Sequence, residues 1–259
     1  MKKLVLALVP AIAMVASMSS CTKDETTPTI PKVDTPVVNN TAPTPFTPTF
    51  GDVNGSLAAV QMKYSMEQMG FPIDISYETA VATFTNGSTT LVDAGTVSVN
   101  GINLEKQTNN SYLKMATTGL TTADLKYSSG VDWSVSGTGN IPTVSYKHGT
   151  NFPEYTGTVP TEITKANGLS FTFNTSNTMN ADSVYVFVGA SNGKTFIKGY
   201  APNAGTVKIT ASDLSGLPTV TDKTAYLEVL PVKFDVQSFS GKPFVFIKEQ
   251  AIVRNVNIN

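Results

Sequence analysis

A single cysteine, a single histidine and a single tryptophan occur among the 259 residues. One His and one Cys exclude a Cys/His zinc site, a haem axial pair and a Cys–His nucleophile assembled within one chain. One Cys also excludes an internal disulfide framework. Charge is scarce: 14% of residues are Asp, Glu, Lys or Arg, against roughly 25% in an average globular protein. The formal net charge of −1 supplies no basic field for nucleic acid. No GxSxG nucleophile elbow occurs, although Ser and Thr are abundant. No apolar run reaches the roughly 20 residues of a typical membrane-spanning helix. What remains points to β structure and to processing at the amino end.

Residues 1–20 read as a secretory signal peptide: Met-Lys-Lys, then the apolar LVLALVPAIAMVA, then the small residues SMSS. The run is short for a membrane span, and Pro10 interrupts any helix through it. Met18-Ser19-Ser20-Cys21 resembles a bacterial lipobox, with Met where Leu is usual, so Cys21 is the expected lipidation site. Several acyl chains on one residue supply the multi-chain anchoring that a single chain does not. Lys23, Asp24 and Glu25 resemble the short export signal that follows the lipidated Cys in surface lipoproteins of Bacteroidota. That resemblance implies the outer face of the outer membrane. Cleavage before Cys21 leaves 16 basic against 19 acidic residues, which does not favour acidic lipid or DNA.

Residues 21–50 form a separate block, expected to be a disordered Thr/Pro-rich tether. Six of the 15 prolines lie here, at 28, 31, 36, 43, 45 and 48, and proline fixes φ while removing donors. In polyproline-II form, at about 3.1 Å per residue, the block reaches roughly 90 Å.

From residue 51 the pattern is strand after strand. Candidates are 56–66, 80–84, 96–100, 110–115, 131–137 and 142–147, then 169–173, 183–190, 194–200, 205–211, 224–236 and 243–258. Asn86-Gly87, Asn100-Gly101, Asn167-Gly168, Asn192-Gly193 and Ser240-Gly241 supply turns, since Asn and Gly tolerate φ > 0. Such spacing predicts an all-β chain of two tandem immunoglobulin-like β-sandwiches, 51–156 and 157–259; one large barrel is the alternative. The one helical candidate is ASDLSGLP (211–218), with Ser212 or Asp213 as cap and Pro218 as stop. Ala94-Gly-Thr-Val-x-Val recurs as Ala204-Gly-Thr-Val-x-Ile, which either duplication or shared turn-to-strand grammar produces.

Several constellations invite chemistry without defining it. The loop at Asp52 opens like a calcium site, but Leu57 and Lys63 occupy the positions that need Gly and a bidentate acid. Asp74, Glu78, Asp93, Glu105, Asp182 and Glu228 include no pair marked out for glycoside hydrolysis and are expected on solvated faces. Trp133 alternates with Val131 and Val135 and is expected in a core. His148 lacks a recognisable catalytic partner and is expected exposed on a loop. Around it, Tyr146, Phe152 and Tyr155 either pack an interdomain joint or stack on a sugar ring or peptide. They are the candidate ligand-binding residues. No catalytic, metal or cofactor residue is assigned.

Asp93-Ala-Gly-Thr-Val-Ser-Val-Asn-Gly101, Asn109-Asn-Ser-Tyr112, Trp133-Ser-Val-Ser-Gly137 and Phe152-Pro-Glu-Tyr-Thr-Gly157 are similar to phrases in Bacteroidota lipoproteins with two β-sandwich domains. So are Ala181-Asp-Ser-Val184 and Gly241-Lys-Pro-Phe-Val-Phe246. The resemblance implies architecture and location and transfers no catalytic or binding residue. The lipobox implies a membrane held through the lipid on Cys21, and the charge argues against nucleic acid. A long tether with almost no catalytic chemistry leads to the expectation of a non-enzymatic binding, adhesion or structural role, with an extracellular glycan or protein as partner. The alternative is an accessory glycan-binding lipoprotein of a polysaccharide uptake system.

Overall fold

The computed structural model describes residues 53–68, 71–87, 90–115, 125–190 and 193–259. The expected signal peptide, Cys21, the Lys23-Asp24-Glu25 signal and the Thr/Pro block lie outside the described residues. Within them the chain is largely β, in sheets that are antiparallel or mixed.

Among the described residues fifteen strands form. In the first half these are β1 (Gly55–Gln68), β2 (Phe71–Phe84), β3 (Val97–Val99), β4 (Ile102–Asn103), β5 (Glu105–Lys106), β6 (Tyr112–Lys114), β7 (Asp132–Val135) and β8 (Val144–Lys147). The second half contributes β9 (Glu162–Ile163), β10 (Leu169–Thr172), β11 (Ser183–Gly189), β12 (Thr195–Tyr200), β13 (Thr206–Ile209), β14 (Val220–Phe239) and β15 (Lys242–Ile258). One sheet of nine strands runs β12-β11-β14-β15-β1-β2-β6-β5, with β9 also paired to β15. The others are β4-β3-β7-β8 and the pair β10-β13.

The alternation of β15 organises the molecule. Side chains on a strand point to opposite faces in turn. One face of β15 presents Phe244 and Phe246 to a first core, then Lys248 and Gln250, then Ile252, Val256 and Ile258 to a second core. Its partner β14 mirrors this, with Ala225, Leu227 and Val229 in the second core, Lys233 and Asp235 in the middle, and Phe239 against the first core. The first core holds Leu57, Phe84, Tyr112, Trp133 and Val144, closed by Phe244 and Phe246. The second holds residues from Tyr155 to Ile258. The two cores therefore share the β14–β15 ribbon. The expected division at 156/157 falls in the strand-free stretch between β8 and β9 that passes from one core to the other.

The opposite face of the same ribbon builds a third apolar cluster with β1 and β11. Its members include Ala58, Val60, Met62, Phe187, Leu230, Val232, Val245, Ile247, Ala251 and Val253. Pro231 sits inside β14 and cannot donate. The β14–β15 pairing accordingly skips from Val229↔Ile252 to Val232↔Glu249. At the start of β1, Gly55 lies between Phe244 and Phe84 in register. A Cβ there would sit 2.5 Å from the Phe244 ring, so only glycine lets both rings close over the strand.

Two expectations shift. The helical turn is Ala211–Leu214, and its cap is Thr210, not Ser212 or Asp213. Thr210 accepts from the Asp213 N–H, and Asp213 accepts from the Thr210 N–H, a reciprocal capping box. β2 begins at Phe71, well before the expected 80–84, because its first half pairs with β1 from Met62 to Gln68. Trp133 is 1% exposed, in the first core.

Candidate functional site

Between the two cores, on the face of the ribbon where β14 and β15 turn polar, lies an open cleft of about 620 Å³. Tyr146, His148, Asn180, Lys233, Asp235 and Lys248 line it. Three segments build it. The ribbon supplies Lys233, Asp235 and Lys248. β8 and the loop after it supply Tyr146 and His148. The residue ending the one-turn helix Ser176–Met179 supplies Asn180, held in the left-handed region at φ 55°.

The connecting stretch is tied down across the ribbon. Lys248 Nζ donates to the His148 carbonyl at 2.7 Å, and the His148 N–H donates to Val131 O at 2.8 Å. Two residues further along β15, Gln250 Oε1 accepts from the Tyr155 N–H at 3.0 Å. The His148–Val131 and Tyr155–Gln250 bonds anchor the two ends of the stretch along one wall of the cleft, and Lys248 adds a single bond to it.

The charges are arranged unequally. Lys233 pairs with Asp182 at 2.9 Å, and Asp182 also accepts from the Phe234 N–H. Asp235 accepts from the Tyr146 hydroxyl and, at 2.9 Å, from Gln237. Lys147 pairs with Asp132 at 3.2 Å. Lys248 is only 4% exposed, stands directly opposite Lys233 in the ladder, and has no ion-pair partner among the described residues. Its ammonium lies 5.7 Å from the Phe152 ring centre. Burial and the Lys233 charge push the Lys248 pKa down, against a smaller opposing effect of Asp235. Burial, with Lys248 next, pushes His148 down to about 4. Its Nδ1 is buried without a hydrogen-bond partner. Desolvation and the Asp235 carboxylate raise the Tyr146 hydroxyl well above the usual phenol range.

The opposite face of the ribbon holds a second set of buried ionisable groups. Glu228 and Glu249 are 3% and 1% exposed, and one carboxyl oxygen of each has no partner among the described residues. Burial raises Glu228 to about 8; burial and then the Glu228 charge raise Glu249 well above the carboxylate range. Tyr77 beside them is raised to about 12, by burial and then by Glu228. Burial among apolar side chains disfavours the charged form of both carboxyls. The expectation that Glu228 lies on a solvated face is thus corrected: β14 turns it into the third cluster.

The sequence-predicted ligand residues are spread across the joint. Tyr146 borders the cleft, its ring 4.0 Å from Phe246 in the first core. Phe152 is half-buried, 5.2 Å from Tyr127, beneath Lys248. Tyr155 is buried in the second core. His148, expected exposed, is half-buried because its loop is drawn onto β15. Lys233, Asp235, Lys248 and Asn180 were not singled out from sequence. The signal for Lys248 was available: Lys248-Glu249-Gln250 interrupts an otherwise apolar strand. Asp182, one of the six scattered carboxylates, acts as the partner of Lys233. Asp93 is tied to Lys106 and Tyr112, and Glu78 accepts from the Leu125 N–H.

Among the described residues no group of three or more His, Cys, Asp or Glu is placed to hold a metal ion. Nor is any helix among them long and apolar enough to cross a membrane. No protein-family model matches the chain, and no curated protein matches it.

Proposed function

We propose that the chain is a lipid-anchored surface protein with a non-enzymatic binding role, and that the cleft between its two cores holds the ligand. The observation that carries this reading is the cleft itself, where the buried Lys248 and several partly buried polar side chains converge between two apolar cores. Concave sites with a few fixed polar groups, often at the joint between units, are the usual form of ligand sites. In this reading the two cores belong to tandem immunoglobulin-like sandwiches joined by the β14–β15 ribbon. The apolar run, Cys21, Lys23-Asp24-Glu25 and the Thr/Pro block support an anchored and tethered protein at the outer face of a bacterial outer membrane. The polar lining, with Tyr146 at its border, supports the glycan-binding version over adhesion through a flat surface.

Two experiments test this. Intact cells carrying the wild type or Cys21→Ala are treated with protease and fractionated. The wild type should be membrane-held and cut from outside, and Cys21→Ala should be released from the membrane. A wild type protected from external protease contradicts surface exposure. A glycan and extracellular-protein binding screen on the purified chain should return saturable binding that Asn180→Trp, which fills the cleft, weakens. Absence of any binding contradicts the functional reading.

A further inference from the structure

Lys233 and Lys248 face one another across an antiparallel ladder. At such positions Cβ atoms lie about 4.5–5.5 Å apart and like charges destabilise the pair. Lys233 is relieved by Asp182 at 2.9 Å. Lys248 makes no ion pair among the described residues, with only the Asp235 carboxylate acting on it at longer range: an ammonium has three donors, and the one bond it makes among the described residues is to the His148 carbonyl. A desolvated cation without a counter-charge is costly to keep. The side chain borders the cleft, beside an imidazole whose Nδ1 is also unpartnered.

We propose that the cleft binds the carboxylate of an acidic sugar, with the Lys248 ammonium as its counter-ion. This deepens the binding reading above and rests on it. A monoanion matches the site. One ammonium lacks a counter-charge, whereas a phosphate dianion would meet the Asp235 carboxylate with only that one cation to spare. Asp235 has lone pairs left for sugar hydroxyls after accepting from Tyr146 and Gln237. Asn180 adds an amide, and Tyr146 an aromatic edge to the wall. The volume of about 620 Å³ falls within the roughly 300–1,000 Å³ of small-ligand sites. His148 is neutral there near pH 7, so the positive charge offered to the ligand comes from Lys248. Lys147 is engaged by Asp132 and Lys233 by Asp182.

The chain has one histidine, so its imidazole signals report on the cleft without assignment. The purified full-length chain is titrated by NMR with D-galacturonate and D-glucuronate, and in parallel with D-galactose, D-glucose, acetate and inorganic phosphate. The expected result is saturable movement of the His148 signals by at least one sugar acid. Its affinity should exceed those of its neutral counterpart, acetate and phosphate by tenfold or more. Saturation should also raise the His148 titration midpoint, because an anion next to the imidazole favours its protonation. Lys248→Met should weaken binding at least tenfold, and Lys248→Arg should restore part of it, with thermal melts confirming that both variants fold. Equal affinity for the neutral sugar or for phosphate, failure of both sugar acids, or undiminished binding by folded Lys248→Met overturns the proposal. Binding of a neutral sugar alone overturns it while leaving the cleft as a ligand site. An empty screen of all glycans and proteins is the separate failure of the underlying reading.

Discussion

Lys248 and Glu249 are neighbours in β15, both almost wholly buried, and they point to opposite faces of one ribbon. On Glu249's face the surroundings are apolar: Val60, Val232, Ile247 and Ala251. There burial raises the pKa of both carboxyls, to about 8 for Glu228, and so favours their protonated forms. On Lys248's face a polar cleft opens, and in the reading proposed above the charge is kept there against burial and a second lysine directly across the ladder. The same strand thus meets two solutions to a buried ionisable group. Neutralisation suits a packed interior. Retained charge suits a site with room for a partner.

This contrast can be broken in several places. The largest effect is expected where the lysine-bearing face enters the first core. Phe246→Ala removes a ring packed against Tyr146 and edge-on to Phe239 and should cost about 3–5 kcal/mol in chemical denaturation. A loss under 1 kcal/mol would deny that the ribbon closes the first core.

The carboxyl face makes a prediction of opposite sign from ordinary acid denaturation. The folded Glu228 holds its proton up to about pH 8, whereas the unfolded residue releases it near 4.5. The folded state therefore binds more protons in this window, and stability falls as pH rises from about 5 to 8. The expected loss is on the order of a few kcal/mol, shared with Glu249. Glu228→Gln should flatten that decline in a urea series measured across pH. An unchanged slope would mean that the carboxyl is ionised in the fold.

Gln250 sits between the two behaviours, on the lysine face but uncharged. Gln250→Ala strips the acceptor from the buried Tyr155 N–H and should cost about 1–3 kcal/mol. His148 gives the smallest and cleanest signal. Its pKa near 4 keeps the folded imidazole neutral while the unfolded one takes a proton near 6.5. This group therefore lowers stability as pH falls from about 6.5 to 4. An NMR midpoint near 4 is expected, and a midpoint near 6.5 would place the ring in open solvent.

Much of the β framework was legible from residues. Runs such as LSFTF and SVYVFVGA alternate over a buried face, and observed β10 and β11 begin at the expected Leu169 and Ser183. Trp133 was legible because Val131 and Val135 share its side of the strand. The sharing of one ribbon by two cores was not. The run from 243 to 258 reads as one long strand, and nothing local says that Phe246 and Ile252 enter different cores. Glu228 was misplaced because a lone acid in a strand usually faces water. Its burial depends on which neighbours β14 acquires at long range. The cleft was half-read: Tyr146 and His148 drew notice as an aromatic loop. Lys248 and Lys233 come from strands about a hundred residues later, and only their register makes them a pair.

The most direct test of this contrast is the unfolding free energy of Lys248→Met against wild type near neutral pH, without ligand. Met keeps the length of the side chain, loses the bond to the His148 carbonyl, and relieves both the buried charge and the repulsion from Lys233. If the charge is kept for a ligand, the two proteins should agree within about 1 kcal/mol, or the variant should be more stable. A loss of about 3 kcal/mol or more would show that Lys248 holds the fold together, and would contradict the account.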